Sequence, residues 1–184
     1  MELIGPYLAA CALLVVAGVA KAVRPAETAR AVAAALPVPM VVVAPLVRLG
    51  ATTEAVIGTA GLVRPSPWSA SAVAGSYLLF AGFVAVVVTR GGPLASCGCF
   101  GTPDTPATRL HVVLDLVLCT SAVAVVTGVP AAWLPAVLSA QPWHGAPLVL
   151  ASLLCAWVAS LTVGRLALLG AARRQLGIAR GPGR

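Results

Sequence analysis

Residues 67–89 read PWSASAVAGSYLLFAGFVAVVVT, a run of 23 residues without a charged side chain that is followed by Arg90. A helix needs about 20 mainly apolar residues to cross the hydrocarbon core of a bilayer. The run has this length and is rich in alanine, valine and leucine, without the polar/apolar alternation of a membrane barrel. It therefore predicts a membrane-spanning helix.

The rest of the chain has the same character. Of its 184 residues, 60% are hydrophobic and only 9% are charged, and the mean hydropathy is +1.00. A soluble domain carries about 25% charged residues, so a soluble enzyme, a nucleic-acid-binding domain and a disordered chain are excluded. The net charge of +7 does not indicate nucleic acid, because the basic residues lie at the ends of apolar runs, where orientation signals are found.

Four further apolar runs have nearly the same length. Together they predict five spanning helices, at residues 3–22, 41–63, 67–89, 110–129 and 147–169. The expected fold class is all-α: a polytopic membrane protein with a four-helix transmembrane bundle and a fifth, C-terminal transmembrane helix. The first run lacks the positively charged start of a secretory signal, so it is interpreted as a retained helix.

The connections between these runs differ in composition. Residues 25–39 are rich in alanine, with Pro25 placed to begin and Pro37 to end a short helix at the membrane interface. Residues 91–108 form a long connection that contains seven glycines and prolines. Such connections either carry function or lack order. We expect three regions: a four-helix membrane domain at 1–130, an interfacial segment with the fifth helix at 131–170, and a basic disordered tail at 171–184.

The distribution of basic residues predicts the orientation in the cell membrane. If the N-terminus lies outside, eleven of the twelve lysines and arginines lie on the cytoplasmic side and only Arg64 lies outside. We therefore expect a multi-pass protein with its C-terminus in the cytoplasm. This orientation places the connection at 91–108 on the cytoplasmic side.

That connection contains the sequence Ser96-Cys97-Gly98-Cys99-Phe100-Gly101. A disulfide between Cys97 and Cys99 would close a very small, strained ring that is easily reduced, which favours thiol exchange over structural cross-linking. The alternatives are half of a soft-metal site and two unreactive cysteines. The remaining cysteines lie in apolar runs and are interpreted as small buried hydrophobes; they are Cys11, Cys119 and Cys155.

His111 and Asp115 are ionisable residues at the start of the fourth apolar run. They are four residues apart, so a helix places them on one face. There His111 could accept a proton from a thiol or, as a cation, stabilise a thiolate, while Asp115 orients the ring. The alternative is a histidine among lipid headgroups and an aspartate paired with Arg48 or Arg109.

Glu54 lies midway along the second apolar run. An unpaired carboxylate in a bilayer costs several kcal/mol, so Glu54 is expected to face the bundle interior. It is either a proton or ligand partner, or it forms an ion pair with Arg48 or Lys21. The sequence contains no quinone or haem motif, which leaves the cofactor and the electron partner unknown.

Three stretches of the chain resemble the MauE family (methylamine-utilisation protein E), within the broader DoxX-like group of small membrane proteins. The first is residues 17–36 with Lys21, and the second is residues 49–58 with Glu54. The third and most specific is Cys97-Gly98-Cys99-Phe100-Gly101, followed by a helix that opens with His111. The resemblance covers roughly residues 3–130.

This resemblance implies thiol–disulfide chemistry. The family is associated with making methylamine dehydrogenase, through disulfide formation in its small subunit alongside a thioredoxin-like partner. By the resemblance Cys97 and Cys99 form the redox pair, and we predict that His111 acts with them as a catalytic residue. The supporting charges inside the membrane are Glu54, Asp115 and Lys21.

Two other function classes remain open at this point. One is a non-enzymatic assembly factor or metal-binding protein, and the other is a small-solute channel that uses Glu54 and Asp115. The side of the membrane is also open, since the family's clients lie outside the cytoplasm and the charge count places Cys97 and Cys99 inside. The connection could dip into the bundle, the orientation could be reversed, or reducing equivalents could come from the cytoplasm.

Overall fold

A computed structural model gives the architecture of the chain. It describes residues 4–35, 38–89, 108–128, 134–147, 149–155, 157–158 and 161. Cys97 and Cys99, the rest of the connection that contains them, and the basic tail lie outside these residues.

The described residues form helices and no strand. The helices are α1 (Ile4–Val23), α2 (Pro25–Ala35), α3 (Met40–Val63), α4 (Pro67–Thr89), α5 (Arg109–Gly128) and the short α6 (Leu134–Ser139), followed by a 3-10 turn at Pro142–Gly145. By length and composition α1, α3, α4 and α5 can each cross a membrane. This confirms the predicted all-α membrane bundle. Of the predicted fifth span, residues 149–155 are helical and residues 162–169 lie outside the described part.

The turn between α3 and α4 is fixed by local hydrogen bonds. Ser66 and Ser69 cap each other: the backbone N–H of Ser69 donates to Ser66 Oγ over 3.2 Å, and the backbone N–H of Ser66 donates to Ser69 Oγ over 3.0 Å. Between them Pro67 takes the first helical position, where a missing N–H costs nothing. This reciprocal cap starts α4 abruptly and keeps α3 and α4 antiparallel neighbours.

The bundle is built around α1. This helix packs along α3 and also contacts α4 and α5, while α4 packs along α5 and α2 packs against α3. It is therefore the most buried of the four long helices, with 56% of its apolar window inside the protein compared with 11% for α3. A buried hydrogen bond joins α4 to α1, since the Tyr77 hydroxyl donates to the carbonyl oxygen of Ala10 over 2.7 Å.

Glycines allow α1 and α3 to approach closely. A Cβ atom on Gly18 would lie 2.7 Å from the carbonyl oxygen of Ala51, and one on Gly58 would lie 2.7 Å from that of Cys11. Lipid tails are as apolar as the helices, so such close backbone packing is a main source of helix association in membranes. It also fixes the axial register, because Gly18 faces the turn of α3 that leads to Glu54.

We predict that Gly58→Ala destabilises the bundle by about 1–3 kcal/mol, the usual cost of overpacking a tight core. Gly50→Ala is the matched control on the same helix, because no atom lies within 4 Å of a Cβ placed there. It should be neutral or stabilise by up to about 1 kcal/mol, the difference in helix propensity. Thermal unfolding of the purified proteins in detergent measures both effects, and equal effects would contradict the close approach of α1 and α3.

Candidate functional site

Lys21 joins three helices at one end of the bundle. It lies in the last turn of α1 and is only 6% exposed. Its ammonium forms an ion pair with Oε2 of Glu54 on α3. The same nitrogen lies 4.5 Å from the centroid of the Phe80 ring on α4, within cation–π range.

The ion pair satisfies Glu54 in the bundle interior. Oε2 of Glu54 is buried and accepts no conventional hydrogen bond from the described residues, so the Lys21 ammonium is its polar partner there. Of the two partners that the sequence suggested, the structure selects Lys21, while the side chain of Arg48 is exposed. A buried pair is costly to break because one charge is then left without compensation.

His111 is held by the residue that precedes α5. The backbone N–H of Thr108 donates to His111 Nδ1 over 3.3 Å, and the Thr108 hydroxyl oxygen lies 2.9 Å from the same atom. In return the backbone N–H of His111 donates to the carbonyl oxygen of Thr108 over 3.0 Å. The contact from the Thr108 N–H to the His111 side chain is one half of a capping box, with histidine in place of the usual glutamate. It holds the ring inside the bundle, where His111 is 5% exposed.

Nδ1 of His111 is the acceptor in this arrangement. In a neutral imidazole one nitrogen accepts and the other carries the proton. Because the backbone N–H of Thr108 can only donate, the neutral ring carries its proton on Nε2.

A cavity of about 50 Å³ lies between α1, α4 and α5. Its polar lining is Lys21, Tyr77, His111 and Asp115, and its apolar lining is Leu13, Leu14, Ala17, Phe80, Leu114 and Leu118. One water molecule needs about 10–15 Å³ of such volume, so the cavity has room for a few water molecules. A molecule as large as an organic cofactor does not fit in this cavity.

Asp115 lines this cavity one helical turn after His111, as the four-residue spacing predicted. Lys21 lines the same cavity. Within the described residues it forms no ion pair with Arg48 or Arg109, whose side chains are exposed. The structure therefore brings Lys21, Glu54, His111 and Asp115 to one place; below we call these four residues the charge cluster.

The cysteines divide into two groups. Cys97 and Cys99 lie outside the described residues, in the connection that joins Thr89 to Thr108. Cys11 is buried and Cys119 is half-buried, as expected for small hydrophobes in apolar runs. For Cys155 that expectation is wrong, since its side chain is exposed. Three residues earlier the Ser152 side chain is buried, and its hydroxyl donates to the carbonyl oxygen of Gly5 over 3.3 Å.

The sequence analysis did not identify two residues that contribute to the site, Phe80 and Thr108. Phe80 is one apolar residue among many in α4, and only its spacing of three from Tyr77 indicates a shared face. Thr108 precedes a helix and lies three residues before His111, which is the spacing of a capping box. Among the described residues, three or more His, Cys, Asp or Glu side chains do not come together as a metal site.

We predict that Lys21→Met destabilises the folded protein by about 3–5 kcal/mol, the cost of leaving the buried Glu54 carboxylate unpaired. Glu54→Gln should cost less, because Asp115 lines the same cavity as Lys21 and can replace the lost counter-charge. The double variant Lys21→Met/Glu54→Gln carries neither charge and should recover much of that loss. Thermal unfolding in detergent of the single and double variants forms a double-mutant cycle. If the two single effects simply add in the double variant, Lys21 and Glu54 are not energetically coupled.

The comparisons with known proteins give one match. No curated protein and no solved structure matches the chain. The profile of a family described as methylamine utilisation protein MauE matches residues 3–128. These residues include all four long helices, every member of the charge cluster and the connection with Cys97 and Cys99. The chain therefore belongs to the MauE family and is a multi-pass membrane protein of methylamine utilisation.

Proposed function

We propose that this protein is a thiol–disulfide redox protein that assists disulfide formation in a partner, with Cys97 and Cys99 as the exchanging pair. The observation that carries the proposal is the family match, which includes the Cys97-Gly98-Cys99 sequence. The client implied by the family's association is the small subunit of methylamine dehydrogenase, with a thioredoxin-like protein as the second partner.

The chain connectivity supports a link between this pair and the charge cluster. The connection that contains the pair begins after Thr89 and ends at Thr108, three residues before His111. Cys99 is nine residues from Thr108, and nine extended residues span about 30 Å at most. Both ends of the connection lie at the end of the bundle where α1 finishes and α5 begins, which is also where Lys21 and His111 are found.

The proposed chemistry is two successive exchanges. A client thiolate attacks the Cys97–Cys99 disulfide, so that one S–S bond breaks and one forms in a mixed disulfide. The second client thiolate then displaces this protein's sulfur, which yields a client disulfide and the reduced pair Cys97 and Cys99. Each displaced thiolate takes up a proton equivalent to the one that the attacking thiol lost. The thioredoxin-like partner, in its disulfide form, reoxidises the pair by the same exchange.

His111 suits one of its two suggested roles better than the other. Thr108 occupies Nδ1, so the nitrogen left for a sulfur atom is Nε2, which carries the proton in the neutral ring. A group that presents N–H stabilises a thiolate as a hydrogen-bond donor. We therefore propose that His111 favours the thiolate form of the pair and does not act as the first proton acceptor.

We predict that the Cys97→Ser variant leaves Cys99 able to trap a partner protein in a stable mixed disulfide, because the cysteine that would resolve it is missing. If Cys97 is instead the sulfur that bonds to the partner, Cys99→Ser is the variant that traps it. In wild-type membranes mild reduction should expose two new thiols, which mass analysis after thiol labelling assigns to Cys97 and Cys99. Cys119→Ser is the matched control, because its half-buried thiol takes no part in the exchange. It should leave both the labelling and the trapping unchanged.

One result would replace this proposal by the metal-binding alternative. Both cysteines would remain reduced under oxidant, and a metal would co-purify with the wild-type protein and be lost from Cys97→Ser. A soft metal held by two thiolates has this signature.

We also propose that the N-terminus lies outside and the C-terminus in the cytoplasm. The connectivity of the helices groups Lys21, Arg24, Arg30 and Arg109 at one end of the bundle and leaves Arg64 at the other. This asymmetry is the pattern of the positive-inside rule. The charge cluster then lies at the cytoplasmic end.

A reporter that is active only outside the cytoplasm tests the orientation. We predict strong activity when it follows a chain truncated after Arg64 and little activity when it follows Arg184. Immunoblotting of both fusions controls for expression. Strong activity of the Arg184 fusion, with little from the Arg64 fusion, would reverse the orientation.

A further inference from the structure

The charges inside the cluster do not balance. It contains one ammonium, on Lys21, and two carboxyl groups, on Glu54 and Asp115. Its fourth member is the His111 imidazole from α5, and the Tyr77 phenol from α4 lines the same cavity. With both of these neutral and both carboxyl groups ionised, the charge cluster would hold a net charge of −1 in a low-dielectric environment.

The Lys21 ammonium is committed to one of the two carboxyl groups. It contacts Oε2 of Glu54 directly and has the Phe80 ring against another side. Glu54 depends on this contact, since its buried Oε2 has no other polar partner among the described residues. Lys21 therefore neutralises Glu54 and leaves Asp115 without a full counter-charge.

No second cation compensates Asp115 within the described residues. Lys21 is the only basic side chain other than His111 in the lining of the cavity. The nearest arginine along α5 is Arg109, and its side chain is exposed, as is that of Arg48 on α3. Asp115 is half-buried and faces the cavity. A carboxyl group in this position avoids the cost of an uncompensated charge by binding a proton.

We propose that the cavity is a proton-binding site in which Asp115 is a carboxylic acid at neutral pH. As an acid Asp115 donates a hydrogen bond to water in the cavity, and the cavity has room for a few water molecules. The ligand of the site is the proton itself. This site goes beyond the thiol chemistry proposed above and does not depend on Cys97 or Cys99.

His111 and Thr108 provide the route by which this proton exchanges with water outside the bundle. Nδ1 of His111 lies 2.9 Å from the hydroxyl of Thr108, which is only half-buried at the start of α5. An imidazole can take a proton on one nitrogen and release another from the opposite nitrogen. A proton that arrives through Thr108 at Nδ1 makes the ring a cation, which releases its Nε2 proton to the cavity water and Asp115. A half-turn of the ring, which breaks and re-forms the hydrogen bonds to Thr108, then restores the starting tautomer.

Infrared spectroscopy of the full-length protein in lipid nanodiscs tests the site directly. A protonated carboxyl group has a carbonyl stretching band that a carboxylate lacks, and the chain has only five acidic side chains among which to assign it. We expect the band at neutral pH in the wild-type protein and its loss in Asp115→Asn. Glu27→Gln is the control and should keep the band. A wild-type protein without the band, or a band that survives in Asp115→Asn, would overturn the proposal.

A second variant tests the cause while Asp115 stays in place. In Glu54→Gln the Lys21 ammonium loses its carboxylate partner and becomes available to Asp115, which should ionise, so the band should disappear. Persistence of the band in this folded variant would contradict the claim that Asp115 is protonated because Lys21 is paired with Glu54. Deuterium exchange of the band tests the route: it should slow in His111→Gln, and an unchanged rate would exclude His111 as the path.

These outcomes are separate from those of thiol trapping. The variant Cys97→Ser/Cys99→Ser cannot exchange disulfides, yet it should keep the infrared band. If trapping fails and the band is present, the thiol proposal falls and the proton site stands. If trapping succeeds and the band is absent, the thiol proposal stands and the proton site falls.

Discussion

The buried ammonium of Lys21 is the constraint on which the rest of the bundle depends. A charge inside a membrane protein must find a partner there, because bulk water is excluded and lipid offers none. Lys21 on α1 finds Glu54 on α3 and the Phe80 ring on α4. One side chain thus fixes the relative positions of three helices, in an environment where the hydrophobic effect does little to hold helices together.

The small residues between α1 and α3 make the Lys21–Glu54 ion pair possible. A glutamate side chain is short, so it reaches Lys21 only if the two backbones lie close together. Gly18 and Gly58 permit that approach, since a Cβ on either would collide with the facing backbone. Close packing and the ion pair therefore support each other: the glycines set the distance, and the pair selects the register in which both charges are satisfied.

The sequence predicted the features that depend on residues close together in the chain, and it did not predict those that depend on contacts between helices. Apolar length alone predicts the four long helices, and helical periodicity alone places His111 and Asp115 on one face. The cost of a bare carboxylate predicts that Glu54 is paired, but the choice of Lys21 over Arg48 depends on the register of α1 and α3, which is a tertiary property. Phe80 was missed for the same reason. The exposure of Cys155 shows that an apolar run does not define which face is buried.

The two ends of the bundle differ in how their helices are connected: one end has a short, hydrogen-bonded turn, and the other has longer connections and lies nearer the ionisable groups. At one end α3 and α4 are joined by a short turn that Ser66 and Ser69 cap reciprocally. At the other end the helices are joined by longer segments, α2 between α1 and α3 and residues 90–107 between α4 and α5. The charge cluster lies nearer this second end, where Lys21 is in the last turn of α1 and His111 is in the first turn of α5. This division suits the proton site proposed above, because the tight end maintains the helix register while the ionisable groups lie near the end with the longer connections.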